Sequence, residues 1–241
     1  MTTTFAAVLA AQLRSEPGRP LVTFYDDASG ERTELSVTTY ANWVAKAASL
    51  LVEELDLERG DTLRVDLPTH WLGPVFLGAA WTAGLVVVDE EDPDAVVCGP
   101  DTLGHWAGRA DDLVVLACSL RPMGVRFADD VPAGVHDVGI EVWSQPDSFI
   151  PWDPSQPSDD ATRLGGVTLT QQELWEAAAA GTLITVGGRL LSVANPASPP
   201  GIAIFAEPLA RSGSLVLVLH AERERLEATY AAERATARFP A

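Results

Sequence analysis

Lysine is almost missing from this chain: Lys46 is the one lysine in 241 residues, and the other basic residues are arginines. Any mechanism that needs a catalytic lysine must use Lys46 or be discarded. The arginine bias itself reads as the codon usage of a GC-rich genome. Positive charge is scarce altogether, with 16 Lys and Arg against 34 Asp and Glu, a formal net charge of -18. A surface this acidic repels nucleic-acid phosphates and anionic lipid, so neither is an expected partner. Cysteine is equally rare. Cys98 and Cys118 each end an apolar run, where a free thiol packs as a small hydrophobe. Two such residues make neither a disulfide framework nor a zinc site. No stretch reaches the roughly eighteen apolar residues of a membrane span. The start of the chain lacks the basic and apolar regions of a secretory signal. A reduced cytoplasm is the expected setting.

What is present is alternation. Thr4 to Arg14 reads as a short helix capped by Thr3 or Thr4. Leu21 to Tyr25 and Arg32 to Val37 read as two strands joined by the turn residues Asp26 to Gly30. A long helix follows, capped by Thr38 or Thr39. Its apolar residues Tyr40, Trp43, Val44, Ala47, Leu50, Leu51 and Leu55 recur at three- and four-residue steps, and Gly60 follows as a stop. Strands at Thr62–Leu67, Leu85–Val88, Ala95–Cys98 and Leu113–Cys118 alternate with helices at Trp71–Thr82 and near Leu103–Ala107. Unbroken Val/Leu runs between helices predict a mostly parallel sheet covered on both faces. Residues 146–160 hold four prolines among Ser, Asp and Gln, and read as a connector without regular structure. Thr170 and Glu173 form a capping box for a helix ending at Gly181. A strand at Arg189–Val193, a helix over Ile202–Ala210, a buried strand at Ser214–Leu219 and a charged helix from Ala221 to about Ala237 complete the pattern.

The order of these pieces resembles the N-terminal part of the adenylate-forming enzymes, the AMP-dependent synthetases and ligases that include acyl-CoA synthetases. Glu34-Leu-Ser-Val-Thr-Thr-Tyr40 after the hairpin is similar to that family's L-T-Y-x-E-L. Leu57-Glu-Arg-Gly-Asp-Thr-Leu-Arg-Val-Asp-Leu-Pro68 is similar to its G-x-x-x-G-D-x-V-A-x-x-L-P, and Phe76-Leu-Gly-Ala-Ala-Trp-Thr-Ala-Gly84 to its F-L-A-x-x-x-A-G. The resemblance implies a single unit over 1–241 with two packed α/β lobes and mostly parallel sheets. One lobe covers about 60–180. The other combines about 1–59 with 181–241.

The resemblance also has a gap. Asp160-Ala161 and Gly166-Val-Thr-Leu-Thr-Gln171 match the flanks of the family's phosphate loop, Y-T-S-G-T-T-G-x-P-K-G. Between them stand only Thr162, Arg163, Leu164 and Gly165. A phosphate cradle needs converging backbone N–H groups, hydroxyls and a lysine, and four residues without Ser or Lys cannot make one. Gly165-Gly166 and Gly187-Gly188 read as turns. The family's adenine and ribose motifs and its late adenylation lysine have no counterparts, and Lys46 reads as a solvated surface residue. No catalytic, cofactor-binding or metal residue is therefore assigned, and no cofactor is expected. The likeness extends to short actinobacterial ligase-like proteins.

Three residues stand out as cleft or interface candidates: His70 and Trp71 at a helix start, and Trp152 in the connector. The other histidines, His105, His136 and His220, show no metal-ligand spacing. Most of the seven tryptophans read as core. The acidic run Asp89-Glu-Glu-Asp-Pro-Asp94 lacks calcium-loop spacing and reads as a solvated loop. The function expected is a non-catalytic scaffold or binding protein. A homo-oligomer or protein partner would cover the face where an acyl-activating enzyme carries its remaining half. The alternatives are an AMP-forming carboxylate ligase completed by a partner chain, and an ATP-independent sensor of acyl or aryl ligands.

Overall fold

A computed structural model describes residues 3–199 and 201–240. The chain begins with α1 (Phe5–Ser15), whose first turn is capped by the Thr4 hydroxyl accepting from the Ala7 amide. Strands β1 (Pro20–Asp26) and β2 (Glu31–Ser36) form the expected antiparallel hairpin. Helix α2 (Val37–Ser49) follows without a loop. Its cap is Ser36, not Thr38 or Thr39: the Ser36 hydroxyl accepts from the Thr39 amide at 3.1 Å. The last strand residue therefore doubles as the helix cap, a role a short hydroxyl side chain fills in extended geometry. A π-helical turn, Leu50–Glu54, ends the helix.

The alternating region then supplies β3 (Thr62–Asp66), α3 (Leu72–Ala83), β4 (Val86–Val88), β5 (Ala95–Cys98), α4 (Pro100–Ala107), β6 (Val114–Ala117), β7 (Val135–Asp137) and the short α5 (Val138–Glu141). After a 3-10 turn at Val142–Ser144 and a segment free of helix and strand over 145–159 come β8 (Asp160–Leu164), β9 (Val167–Thr170) and α6 (Gln171–Ala180). The capping box is in place: Thr170 and Glu173 exchange side-chain-to-amide bonds at 3.2 and 2.9 Å. The chain closes with β10 (Arg189–Ser192), α7 (Ile202–Ala210), β11 (Ser214–Leu219), α8 (Arg223–Ala232) and β12 (Ala237–Phe239).

The strands make two sheets, ordered β12-β10-β11-β1-β2 and β7-β6-β5-β3-β4-β8-β9. Only the β1–β2 and β8–β9 pairs are antiparallel among the described residues. The fold is thus α/β with mostly parallel sheets, as expected. The layers follow from which faces are apolar. Helix α3 is buried all round, which places it inside. With α1, α2, α6 and α7 it fills the space between the sheets, in one core running from Phe5 to Leu217. Helix α4 covers the outer face of the larger sheet, where Trp106 packs on Val96, Cys98 and Val115. Helix α8 covers the smaller sheet through Leu226 and Tyr230. Cys98 and Cys118 face opposite sides of their sheet. Burial pushes both thiols up, Cys98 to about 12.

The central layer is tied together by buried polar groups. Gln171, fully buried, accepts at one side-chain oxygen from the Phe5 amide at 3.1 Å and the Trp175 indole at 3.2 Å. Phe5, Trp81 and Trp175 meet at ring distances of 5.4 to 5.7 Å. The Trp81 indole donates to the Ala161 carbonyl at 3.0 Å, so both Trp81 and Trp175 have partners, whereas Trp71 Nε1 and Gln171 Nε2 are buried without one among the described residues.

Two further expectations fail. The last helix stops at Ala232, and Ala237–Phe239 instead adds a parallel strand to β10. Glu233 ends the helix and draws this segment inward: it accepts from Tyr25, Arg32 and Arg189. Lys46 is not a solvated surface residue. Its side chain is 16% exposed, donates to the Gln145 carbonyl and pairs with Asp147 at 3.2 Å, tying α2 to the connector.

Candidate functional site

The deletion legible between Ala161 and Gly166 is a tight hairpin. Leu164 pairs with Val167, so Gly165 and Gly166 alone make the turn, at φ of 57° and 77°. Two consecutive left-handed residues are what a two-residue hairpin turn needs, and glycine adopts them without strain. The turn is not open to an anion. The Gly165 amide donates to Asp89 Oδ2 at 2.8 Å. Arg163, the cation on the hairpin, pairs with Glu90 at 2.9 Å. The rest of the acidic run is organised in the same way. Arg64 binds Glu91 at 2.8 Å and Arg109 binds Asp92 at 2.8 Å. Asp94 accepts from the Thr62 hydroxyl and amide, each at 2.7 Å, which together hold its carboxyl below the usual range. The run is the solvated loop expected, with Asp89, Glu91, Asp92 and Asp94 exposed, and its carboxylates are held by arginines and amides, Asp89 and Glu90 against the hairpin.

Behind the hairpin, between α6 and α7, lies a cavity of about 460 Å³. Leu164, Val167 and Leu169 form one wall, Leu174, Ala177 and Ala178 a second, and Ile202, Ala203 and Ala206 a third. Its lining is mostly apolar, and its size lies in the range of small-molecule sites. One acidic side chain reaches it: Glu207, 3% exposed, on α7. Glu207 Oε1 accepts from the Ile184 amide at 2.9 Å. Sequence reasoning passed over Glu207. The available signal was a charged residue before Pro208 inside an otherwise apolar helix, where charge has a structural or chemical reason to persist.

Of the three residues singled out from sequence, His70 and Trp71 lie together with their rings 5.4 Å apart, and Trp152 does not join them. His70 is 2% exposed and Trp71 1% exposed, so neither lines an open cleft. His70 Nδ1 accepts from the Leu72 amide at 3.2 Å, while its ring packs on Phe24 at 4.7 Å. Burial depresses its pKa to about 3, against a weak opposing pull from Asp26. The ring is neutral, and its Nε2 is buried without a partner among the described residues. Trp71 meets Trp43 edge-on at 5.0 Å, and Trp43 meets Trp143 at 5.4 Å. Trp152 stands elsewhere, 92% exposed beside Arg59, which pairs with Asp153 and Asp159. Trp71, Trp81, Trp106 and Trp175 are core, whereas Trp143 and Trp152 are not.

No family model matches the chain. A protein of Mycobacterium tuberculosis (strain ATCC 25618 / H37Rv), the TIGR03089 family protein, is 34% identical over 244 residues, covering 98% of this chain and 97% of the relative. Solved structures match in fold. The acyl-CoA synthetase of Brucella canis superposes with a TM-score of 0.80 at 16% identity, over 98% of this chain and 46% of that one. The anthranilate CoA ligase AuaEII, in complex with anthranoyl-AMP, gives 0.76 at 12% identity over 97% and 48%. The N-terminal domain of FACL13 from Mycobacterium tuberculosis gives 0.73 at 13% identity over 97% and 61%. The chain thus spans about half the length of the solved ligases it matches. Its fold is that of the N-terminal part of acyl-activating enzymes. No helix among the described residues is long and apolar enough to cross a membrane.

Proposed function

The chain belongs to the TIGR03089 family, and on that premise we propose that it is a non-catalytic binding protein built on an acyl-activating scaffold. The observation that carries this reading is the hydrogen bond from the Gly165 amide to Asp89. A nucleotide loop works by aiming several backbone amides and cations at phosphate. Here a two-glycine turn replaces the loop, its Gly165 amide already holds a carboxylate, and its arginine is paired with Glu90. A triphosphate brought to this place would have to displace Asp89 from the Gly165 amide and Glu90 from Arg163. The apolar cavity beside the hairpin supplies the binding surface.

The connector favours a protein partner as well. Ile150 and Trp152 are 88% and 92% exposed, and large apolar side chains displayed this way are common anchors in interfaces. Light scattering of wild type and Trp152→Ala tests this arm; loss of a larger species in the variant is the expected result.

The test of the main reading is pyrophosphate release by the purified chain with magnesium ATP and a panel of carboxylic acids. No release above the no-enzyme control is expected. Steady turnover with any acid would overturn the proposal in favour of a ligase.

A further inference from the structure

The carboxylate of Glu207 is the least explained group in the molecule. It is 3% exposed, yet no ion pair reaches it among the described residues. Arg211, one helical turn on, donates instead to the Ala179 carbonyl at 2.7 Å. One oxygen is held by the Ile184 amide. The other makes no hydrogen bond with a described residue and rests against Gly181, where a Cβ would fall 2.0 Å from it. Glycine at 181 is thus required by the carboxylate, which is held in place from two sides. Glu207 and Gly181 both line the 460 Å³ cavity.

A buried carboxylate without a counter-ion is costly unless a partner supplies the charge. The remaining walls of the cavity are mostly apolar. We infer that the cavity is a site for an apolar amine, whose ammonium pairs with Glu207 while its hydrocarbon or ring fills the space between α6, α7 and the β8–β9 hairpin. The net charge of -18 draws cations towards the protein and repels carboxylates. This ligand class is opposite in charge to the carboxylic acids that ligases of this fold activate. The inference rests on the non-catalytic binding reading, since it uses the same cavity with no nucleotide beside it.

Octylamine, octanol and octanoate differ mainly in the head group and serve as probes in calorimetric titration of the full chain near neutral pH. Octylamine is expected to bind about ten-fold tighter than octanol, the factor one charge-assisted hydrogen bond supplies, and octanoate weakest. Glu207→Gln keeps an acceptor for the Ile184 amide and removes the charge. It should cost octylamine about ten-fold and leave octanol unchanged. Ala203→Phe, at the exposed edge of the cavity, should weaken both. Circular dichroism confirms that each variant is folded. Octanoate binding as tightly as octylamine overturns the inference. So does octylamine binding Glu207→Gln as well as wild type, which marks surface adsorption. Silence from all three probes overturns it too. These outcomes leave the functional reading standing unless pyrophosphate release is also found.

Discussion

Gly165 and Asp89 are held together by one hydrogen bond of 2.8 Å, amide to carboxylate, across the two ends of the β4 and β8 strands. The contact places an acidic side chain at the turn that stands where a phosphate loop is expected. Asp89→Ala should loosen the hairpin by about 1 kcal/mol, the low end for a charge-assisted bond because the contact is exposed. At this chain length that lowers the thermal midpoint by roughly 2–4 °C. It should not create a nucleotide site, because the turn still offers too few donors. Scanning calorimetry of the variant with and without magnesium ATP checks both halves.

Gly78 lies where α3 crosses α2 and α1. A Cβ there would stand 2.2 Å from the Tyr40 hydroxyl, 2.8 Å from Val44 and 2.9 Å from Phe5. Tyr40 is fully buried and donates to the Pro74 carbonyl at 2.9 Å, so it has little room to retreat. Gly78→Ala should destabilise by about 1–3 kcal/mol despite its gain in helix propensity. Urea unfolding with an unchanged slope and a lowered midpoint is the expected observation.

His70 makes stability sensitive to mild acid. Its folded pKa of about 3 lies below the unfolded value near 6.5, so the unfolded chain binds the proton more readily. The contribution is full above about pH 6.5 and declines as pH falls towards 3, by about 2 kcal/mol at pH 5. His70→Asn keeps an acceptor for the Leu72 amide and removes the titration. The difference in unfolding free energy between wild type and variant should therefore narrow from pH 7.5 to pH 5; a constant difference would show that His70 does not titrate in this way.

Glu233 acts in a lower window. Burial opposes its ionised form, but hydrogen bonds from Tyr25, Arg189 and Arg32 outweigh it and hold the carboxyl below the usual range. Its stabilisation is present above the unfolded value of about 4.3 and is lost as pH falls through the folded value. Glu233→Gln should cost about 1 kcal/mol at neutral pH, discounted for partial exposure, and flatten the stability curve below pH 4. Hydrogen exchange of β12 amides should rise in the same variant, because Glu233 anchors the turn leading into that strand.

Periodicity exposed most of the fold. The almost wholly apolar Leu72–Ala83 segment and the Val runs of β4, β5 and β6 are buried on nearly every side, as their composition implies. The strands that escaped notice are short or carry no apolar run: Val135–Asp137, Asp160–Leu164, Val167–Thr170 and Ala237–Phe239. β12 depends on Arg238 and Phe239 meeting a neighbour far away in sequence, which no local pattern records. The absence of loop residues between Ala161 and Gly166 was legible, because it is a matter of counting. The bond to Asp89 was not, since it joins residues 76 apart. His70 was read from its place at a helix start; that it turns inward onto Phe24 depends on packing between the two sheets.

The most direct measurement is calorimetric titration of the wild-type chain with magnesium ATP, with AMP as a second ligand. A carboxylate-held turn should give no binding heat beyond dilution at millimolar nucleotide, and Asp89→Ala should give none either. Saturable binding of ATP by the wild-type chain would contradict the reading of this hairpin as a closed anion site.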